Sequence, residues 1–326
     1  MAIRTSLELS RGIFAENKVK DAVDLFKKLV RQKICEPNEI TYATVLNELS
    51  KRGHTDKTLS LLRLMEQGST KPNKKNYSIV VDALCKDRNL DAAIDLLNEM
   101  KLKGIPPDIV TYNSVIGGLC KLGHWEKVKT FFSEMVNLNI YPDVRTFNIV
   151  IDRLCKEGKV EDGEEVMKHM VGKGVEPDII TYNTIMDGYC LCGQRDIARI
   201  VFDSMINKKI EPDIISYNIL INGYCKEKKV DEAMQLFCEI SHKGSKPNIV
   251  TYTTILQGLF EVGRTDDAKN FFDQMLSTGP TPDLYTLLSM VILSTDLLKK
   301  LCYSFISWKE RENTDIIFYI IIINGL

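Results

Sequence analysis

The sequence is short of the residues that most often carry catalysis, and it has almost no net charge. Its 43 Lys and Arg residues nearly balance its 44 Asp and Glu residues, so affinity for a polyanion must come from charges gathered on one face. The four histidines share no register, and neither a nucleophile motif nor a phosphate-binding loop is present. We therefore expect a protein that is not an enzyme and that holds no cofactor.

The sequence also lacks long apolar segments and cysteine motifs. The longest apolar run, Ile316 to Ile323, is well below the ~20 residues that cross a bilayer, so no membrane partner is expected. The nine cysteines include no C-x-x-C pair and no Cys/His zinc spacing, and no secretory signal is present, which favours a reducing compartment without a metal site. Five cysteines instead share one register and are predicted to pack in a core: Cys85, Cys120, Cys155, Cys190 and Cys225.

The prolines reveal a period of 35 residues. Eight of the ten follow it without a slip: Pro37, Pro72, Pro107, Pro142, Pro177, Pro212, Pro247 and Pro282. A fixed period of this size indicates a solenoid of stacked structural repeats. Seven complete repeats follow, numbered here 1 to 7: residues 39–73, 74–108, 109–143, 144–178, 179–213, 214–248 and 249–283.

Each repeat contains two apolar stripes with helical spacing. In repeat 3, Tyr112, Val115, Ile116 and Leu119 follow the i, i+3, i+4, i+7 pattern of one helix face, and a second stripe indicates a second helix. Glycine, which tolerates the left-handed conformation after a last turn, is expected to end the first helix in five repeats, at Gly53, Gly123, Gly158, Gly193 and Gly263. Four more glycines are expected to stop the second helix: Gly104, Gly174, Gly244 and Gly279. The sequence thus predicts an all-α solenoid of helical hairpins whose first helices line one face.

The two ends of the sequence depart from the period. Residues 3–38 resemble a degenerate repeat, residues 284–315 a shortened degenerate repeat, and residues 316–326 a first helix cut off before its partner. An apolar helix without a partner at the end of a solenoid suggests a truncated gene product.

The repeat resembles the pentatricopeptide repeat (PPR) in its P-type form. The phrases "TYN", "GLCKxG", "A..LF.EM" and "G..PD" carry this resemblance over residues 39–283. Two further phrases, "PDIVTYNSVI" at 107–116 and "SRGIFAENKVKDAV" at 10–23, resemble the plant restorer-of-fertility-like branch. The resemblance implies a right-handed α–α superhelix that binds single-stranded RNA, one nucleotide per repeat. It also implies a mitochondrial location, or second a chloroplast one, and a role in RNA processing, stability or translation, with possible protein partners.

By the same resemblance, two side chains in each repeat read the base. One is the residue after the aromatic of the "TYN" phrase, called here the reading position, and the other is the last residue of the repeat, called the closing position. The pairs in this sequence are Ala43 with Asn73, Ser78 with Asp108, Asn113 with Asp143, Asn148 with Asp178, Asn183 with Asp213, Asn218 with Asn248, and Thr253 with Asp283.

Hydrogen-bond chemistry gives these pairs a base preference. An ionised Asp only accepts hydrogen bonds, so it favours uracil or guanine, which present a ring N–H, over cytosine or adenine. An Asn offers an NH2 donor to the bare ring nitrogen of cytosine or adenine. The resemblance adds that Asn at the reading position goes with pyrimidines, whereas Ser or Thr goes with purines. Repeats 2 to 7 therefore predict the RNA core 5′-GUUU[C/U]G-3′, while Ala43 leaves repeat 1 without a readable base.

The resemblance assigns two more repeat positions to RNA. Two residues before the aromatic lies the wedge position, whose side chain inserts between successive bases: Ile40, Lys75, Val110, Arg145, Ile180, Ile215 and Val250. Lys75 and Arg145 depart from the branched aliphatic pattern, although a guanidinium plane can itself stack on a base. Near the end of the first helix lies the lysine position, where a phosphate contact is expected: Lys51, Lys86, Lys121, Lys156 and Lys226. Leu191 and Glu261 interrupt that series.

Each polar position also has an interpretation without RNA. An Asp or Asn just ahead of a helix is typical of an N-cap, and a Lys at a helix end complements the helix dipole. The tyrosines that precede the reading position are expected in the core. Two other functions stay open: a peptide-binding solenoid, although the tetratricopeptide repeat has a period of 34 and a W-x2-L-G-x2-Y phrase that is missing here, or an inactive fragment.

Overall fold

The structure is a computed structural model that describes Phe26, Lys28 and residues 37–242, 246–284, 286 and 287. Fourteen α-helices and no strands occur in this part of the chain: α1 Glu39–Lys51, α2 Thr55–Gln67, α3 Lys74–Lys86, α4 Leu90–Leu102, α5 Ile109–Lys121, α6 Trp125–Asn137, α7 Val144–Lys156, α8 Val160–Gly172, α9 Ile179–Leu191, α10 Arg195–Asn207, α11 Ile214–Lys226, α12 Val230–His242, α13 Ile249–Glu261 and α14 Thr265–Thr278. The predicted all-α solenoid of helical hairpins is confirmed, with a first helix of odd number and a second helix of even number in every repeat. Most of the degenerate repeats predicted at 3–38 and 284–315, and the whole of 316–326, lie outside the described residues.

The first helix of each hairpin begins at the Asp or Asn that follows a proline. The closing residues and Asn38 each accept a hydrogen bond from the backbone N–H three residues later; for Asp108, Oδ1 lies 3.0 Å from the Thr111 nitrogen, and for Asp143, Oδ1 lies 2.8 Å from the Thr146 nitrogen. Such N-caps satisfy a backbone donor that would otherwise lack a partner at the helix start, and they stabilise a helix by about 1 kcal/mol. The N-cap interpretation of the closing position is therefore confirmed.

Tight turns with a left-handed residue end the helices. Gly53, Gly123, Gly158, Gly193 and Gly263 have φ between 70° and 77°, as predicted from sequence. Repeats 2 and 6 make the same turn with Arg88 and Lys228, each at φ 62°, so glycine favours this turn without being required for it. At the end of the second helix, Gly104 and Gly174 also have positive φ, whereas Gly279 has a φ of −95° and Gly244 lies outside the described residues.

The chain divides into two compact bodies, an amino-terminal one up to Ile185 and a carboxyl-terminal one from Met186. In the amino-terminal body, α1, α3, α5 and α7 pack side by side, and each forms a hairpin with the helix that follows it. In the carboxyl-terminal body, α11 packs against α13 in the same way. None of the helices in the described part of the chain is both long and apolar enough to cross a membrane.

The predicted tyrosine positions form the core of both bodies. Tyr42, Tyr77, Tyr112, Tyr182, Tyr217 and Tyr252 are all buried, which confirms their predicted role. In the carboxyl-terminal body the ring of Phe237 lies 5.1 Å from that of Tyr252 in an edge-on arrangement. In the amino-terminal body the Tyr77 hydroxyl donates a 2.7 Å hydrogen bond to the Glu66 carboxylate, and burial together with this bond raises the pKa of Tyr77.

An ion-pair network connects the second helices of repeats 1 and 2. The Arg63 guanidinium on α2 donates to both carboxylate oxygens of Glu99 on α4, at 2.5 and 2.7 Å. The hydrogen bonds from Arg63 lower the pKa of Glu99 to about 2, so this carboxylate stays ionised across the physiological range. Lys103 adds a 2.6 Å contact to the same carboxylate. The network thereby connects the hairpins of repeats 1 and 2.

Cys85, Cys190 and Cys225 each pack against a glycine of the next first helix. A Cβ added to Gly223 would lie 2.7 Å from the Cys190 sulfur, and one added to Gly258 would lie 2.7 Å from the Cys225 sulfur. Cys85, Cys120, Cys155 and Cys225 are buried and Cys190 is half-buried, so the predicted packing role is confirmed. Helices that approach this closely leave no room for a side chain at the glycine.

Candidate functional site

The first helices of the amino-terminal body line a cavity of about 330 Å³. All of its lining residues belong to α3, α5 and α7. Six of its lining residues come from positions assigned to RNA in the sequence: Lys86, Val110, Asn113, Lys121, Arg145 and Lys156. The fold thus brings a reading residue, two wedge residues and three lysines from repeats 2, 3 and 4 to one surface.

The same cavity contains polar residues that the sequence interpretation did not single out. Asp82 and Asp152 lie in it four residues before Lys86 and Lys156, and they form ion pairs with these lysines at 2.5 and 2.8 Å. Arg153 also lines it, with its Nε 3.0 Å from the Glu157 carboxylate. Arg153 occupies the repeat position that is glycine at Gly118. A comparison of the repeats could therefore have identified this arginine as unusual.

The wedge residues are exposed apolar side chains. Ile40, Val110, Ile180, Ile215 and Val250 are between 51% and 71% exposed, although branched aliphatic residues usually pack inside a protein. Lys75 and Arg145 at the same position are exposed as well. A single exposed aliphatic residue needs no explanation, but here an exposed aliphatic side chain recurs at the same point of five of the seven hairpins.

The reading residues lie one turn further along the same helices and point their oxygen atoms at the next repeat. Asn113 Oδ1 accepts a 2.8 Å hydrogen bond from the Thr146 hydroxyl, and Asn148 Oδ1 accepts one of 2.6 Å from the Thr181 hydroxyl. In the carboxyl-terminal body, Asn218 Oδ1 accepts a 2.7 Å hydrogen bond from Thr251. The reading asparagines are therefore held by a neighbouring repeat; Ser78, Asn113, Asn183 and Thr253 are buried, and Asn148 and Asn218 are half-buried.

In two repeats the reading and closing residues contact each other directly. The Asn148 amide nitrogen lies 3.1 Å from Asp178 Oδ1, and the Asn218 amide nitrogen lies 3.3 Å from Asn248 Oδ1. The two positions that the resemblance pairs across about 30 residues of sequence are thus neighbours in these repeats. In repeat 5, Asn183 is buried on α9 and Asp213 caps α11.

The Asp178 carboxylate at the closing position of repeat 4 is an ionised hydrogen-bond acceptor. Burial opposes ionisation of Asp178, but hydrogen bonds from the Thr181 backbone, the Asn148 amide and the Thr181 hydroxyl outweigh it and lower the pKa of this carboxyl group. In the part of the chain that is described, the hydrogen bonds of the Asp143 carboxylate go to Oδ1, so Oδ2 can accept one more from a ligand. Capping a helix and binding a base are therefore compatible roles for one carboxylate.

The lysine position coincides with the last residue of the first helix. Lys51, Lys86, Lys121, Lys156 and Lys226 all end their helices and are exposed, which agrees with the helix-dipole interpretation. The ion pairs of Lys86 and Lys156 reduce the charge that these two lysines offer to a phosphate. Lys121 has no ion pair within the described residues, which makes it the strongest candidate for a phosphate contact on this face.

The described residues contain no group of three or more His, Cys, Asp and Glu side chains that could hold a metal ion. The cavity-lining side chains are three lysines, two arginines, two aspartates, one amide, one serine hydroxyl, two cysteines and two aliphatic residues, beside two glycines. This set can pair with charges, stack on planar groups and exchange hydrogen bonds. It therefore has the chemistry of a binding surface.

These features define a helical-repeat protein whose first helices repeat a wedge position and a reading position in register. Segments of residues 37–291 match the PPR repeat family seven times, at 37–86, 76–121, 107–156, 142–190, 177–226, 212–261 and 247–291. The chain belongs to the PPR repeat family. Its assignment to the P-type form and to the restorer-of-fertility-like branch stays a prediction.

Solved structures support the same fold. The chain is similar to the pentatricopeptide repeat protein PPR10 from maize, with a TM-score of 0.62 and 23% sequence identity over 95% of this chain and 49% of that one. It is also similar to PPR10 in complex with an 18-nt psaJ RNA element, with a TM-score of 0.61 and 21% identity over the same shares of both chains. The chain thus spans about half the length of PPR10. Comparison with curated proteins finds no match.

Proposed function

We propose that the protein binds single-stranded RNA on the face of its first helices, with one nucleotide to each repeat. The observation that carries this proposal is the series of exposed aliphatic wedge residues, three of which, Val110, Ile215 and Val250, share a repeat with a reading side chain held by hydrogen bonds. Bases offer two large apolar faces to stack on and a polar edge to read, and this combination matches the alternation of wedge and reading positions. The RNA-bound structure of maize PPR10 supports RNA as the class of ligand.

The hydrogen-bonding groups favour the proposed core 5′-GUUU[C/U]G-3′. In repeats 3 and 4 an asparagine amide stands at the reading position and an aspartate at the closing position. Uracil presents a carbonyl oxygen beside a ring N–H, which complements an NH2 donor beside a carboxylate acceptor. Cytosine lacks the ring N–H, so the carboxylate of these repeats would face a bare nitrogen.

We further propose that the bound transcript lies in an organelle, in the mitochondrion first and the chloroplast second, where binding affects RNA processing, stability or translation. Membership of the PPR family supports this part of the proposal. The proposal also includes protein partners that act on the bound transcript. Readout through about six repeats defines a short site, so the transcript has to be found by experiment.

A binding titration tests the RNA proposal. The protein is titrated with 5′-GUUUCG-3′ embedded in an unstructured RNA and with the same RNA carrying 5′-GAAACG-3′, at two salt concentrations. We expect the uracil RNA to bind about tenfold more tightly or better, with affinity falling at a log–log salt slope of about −0.7 for each phosphate contact, or roughly −3.5 for five lysines. Weak binding of both RNAs without preference would contradict the proposal and redirect the search to peptide ligands.

Two lysine variants control for non-specific attraction. K121Q removes a cavity-lining charge on α5 and is expected to reduce the salt slope by about 0.7 for both RNAs. K129Q removes an exposed charge on α6, a second helix, where Lys129 pairs with Glu126, and is expected to leave the slope unchanged. Equal slopes for K121Q and the wild type would exclude Lys121 as a phosphate contact.

A further inference from the structure

We propose that the hydroxyl residue three positions after the closing residue of repeats 2 to 7 is a positioning residue that decides what the reading side chain presents to a base. This position, called here the hydroxyl position, is occupied by Thr111, Thr146, Thr181, Ser216, Thr251 and Thr286. The inference rests on the proposed RNA binding and adds a third residue to the base-reading pairs of repeats 2 to 7. Every side chain at this position is buried, so it acts on RNA through the reading residue.

The hydroxyl position belongs to the helix that follows the reading residue. Thr146 at the start of α7 donates to Asn113 Oδ1 on α5, Thr181 at the start of α9 donates to Asn148 Oδ1 on α7, and Thr251 at the start of α13 donates to Asn218 Oδ1 on α11. The same geometry thus recurs in three repeats, twice in the amino-terminal body and once in the carboxyl-terminal body. One repeat thereby orients the reading group of the repeat before it.

The Thr146 hydroxyl has one proton, and the neighbouring hydrogen-bonding groups determine which atom accepts it. The backbone N–H of Asp143 donates to Thr146 Oγ1 at 3.2 Å, and Asp143 Oδ1 already accepts from the Thr146 backbone nitrogen at 2.8 Å. The hydroxyl proton lies within reach of both Asp143 Oδ1 and Asn113 Oδ1, each 2.8 Å from Oγ1. Donation to the amide oxygen satisfies a buried acceptor and turns the Asn113 nitrogen away from Thr146.

Contacts in two other repeats support this orientation of the amide. The Asn148 nitrogen faces Asp178 Oδ1, and a flipped amide would place two acceptor oxygens against each other at 3.1 Å. The Asn218 nitrogen likewise faces Asn248 Oδ1, which is itself fixed by a 3.0 Å hydrogen bond from the Thr251 nitrogen. With the oxygen held by the hydroxyl position, the reading asparagine offers its NH2 group as the remaining hydrogen-bonding group.

Ser and Thr at the reading position offer a hydrogen-bond acceptor to a base, whereas Asn offers a donor. Ser78 can donate its only proton to the Lys74 carbonyl oxygen at 2.9 Å, and its oxygen lies 2.6 Å from the Thr111 hydroxyl, where either oxygen can be the donor; with its proton on Lys74, Ser78 has only acceptor capacity left. Thr253 repeats this pattern with the Ile249 carbonyl at 2.8 Å and Thr286 at 2.7 Å. These repeats therefore present an acceptor beside the acceptor of Asp108 or Asp283. Two acceptors complement the adjacent N–H groups of guanine, whereas the donor and acceptor of an asparagine repeat complement uracil.

Repeat 3 offers the sharpest test of this inference. Within the described part of the chain the Thr146 hydroxyl is the hydrogen-bond partner of the Asn113 amide, whereas Asn148 in repeat 4 is held by Asp178 as well. T146V removes the hydroxyl and preserves the side-chain shape, and T146S restores the hydroxyl. Binding of RNA containing 5′-GUUUCG-3′ is compared with 5′-GCUUCG-3′, which changes only the nucleotide assigned to repeat 3. Far-UV circular dichroism checks that each variant is folded.

We expect the wild type and T146S to prefer the uracil RNA by about tenfold, and T146V to keep a preference of about threefold or less. T181V, tested with 5′-GUCUCG-3′, is expected to lose less of its preference because Asp178 still holds Asn148, and it serves as the second variant if T146V does not fold. A purely structural role of the cap would weaken binding of both RNAs equally and leave the preference unchanged, which would overturn the inference. Absence of any preference in the wild type would instead overturn the proposed function.

Discussion

At the residue scale, single side chains combine a structural and a proposed recognition role. Asp143 caps α7 through Oδ1 and leaves Oδ2 for a ligand, and Thr146 completes the same capping box while it holds Asn113. The helix start is therefore rigid before any RNA arrives, which limits the conformational entropy lost when a base binds. The buried cysteines differ, because their predicted role is packing.

Cysteine reactivity gives a prediction at this scale. Burial raises the pKa of the Cys85, Cys120 and Cys225 thiols to about 12, so at pH 8 only about one in ten thousand is the reactive thiolate. Cys192 and Cys238 are exposed. We expect iodoacetamide to modify the two exposed cysteines of the native protein and to spare the three buried ones, as measured by peptide mass spectrometry. In urea all five should react, and equally fast modification of Cys120 in the native protein would contradict the packing assignment.

At the element scale, the stacking of hairpins depends on the close contact between a cysteine and a glycine of adjacent first helices. Gly258 on α13 lies against Cys225 on α11, and a Cβ at this glycine would also meet the Cys225 Cβ at 2.9 Å. The cysteine Cβ is fixed to its helix backbone and cannot move aside alone. Any side chain at this glycine therefore pushes two helices apart.

A pair of glycine variants tests this contact. G258A is expected to lower the free energy of unfolding by about 1–3 kcal/mol, because overpacking outweighs the gain in helix propensity. G117A places its Cβ 3.6 Å from the nearest side-chain atom, an ordinary contact, and is expected to raise stability by about 0.5–1 kcal/mol. Urea titrations followed by circular dichroism measure both changes. Stabilisation by G258A equal to that by G117A would show that the two helices can separate without cost.

The helices were largely predictable from sequence, whereas the turns between them and the contacts from one repeat to the next were less predictable. The proline period and the apolar stripes predicted a hairpin in each repeat, because both depend on local sequence. The use of Arg88 and Lys228 in left-handed turns was not predicted, since the packing around a turn can impose a conformation that the residue itself disfavours. The contact from Thr146 to Asn113 was also missed, because it joins residues 33 positions apart on separate helices.

At the scale of the whole molecule, the net charge of −1 conceals local concentrations of positive charge. The cavity of the amino-terminal body is lined by five cationic residues, Lys86, Lys121, Arg145, Arg153 and Lys156, and by two acidic ones, Asp82 and Asp152, while Glu157 pairs with Arg153 beside it. Such a local excess attracts a polyanion even when the chain total does not. Composition could therefore not have predicted this surface, whereas the repeat period placed its lysines in register.

The most direct test of base reading by the repeats is an exchange of specificity in repeat 3. N113S gives this repeat the serine and aspartate combination of repeat 2, while Thr146 and Asp143 stay in place. Affinities of the wild type and N113S are measured for RNA containing 5′-GUUUCG-3′ and 5′-GGUUCG-3′. We predict that the wild type prefers uracil at the second nucleotide by about tenfold and that N113S reverses the order to prefer guanine. The same order of preference in both proteins would contradict readout by this residue.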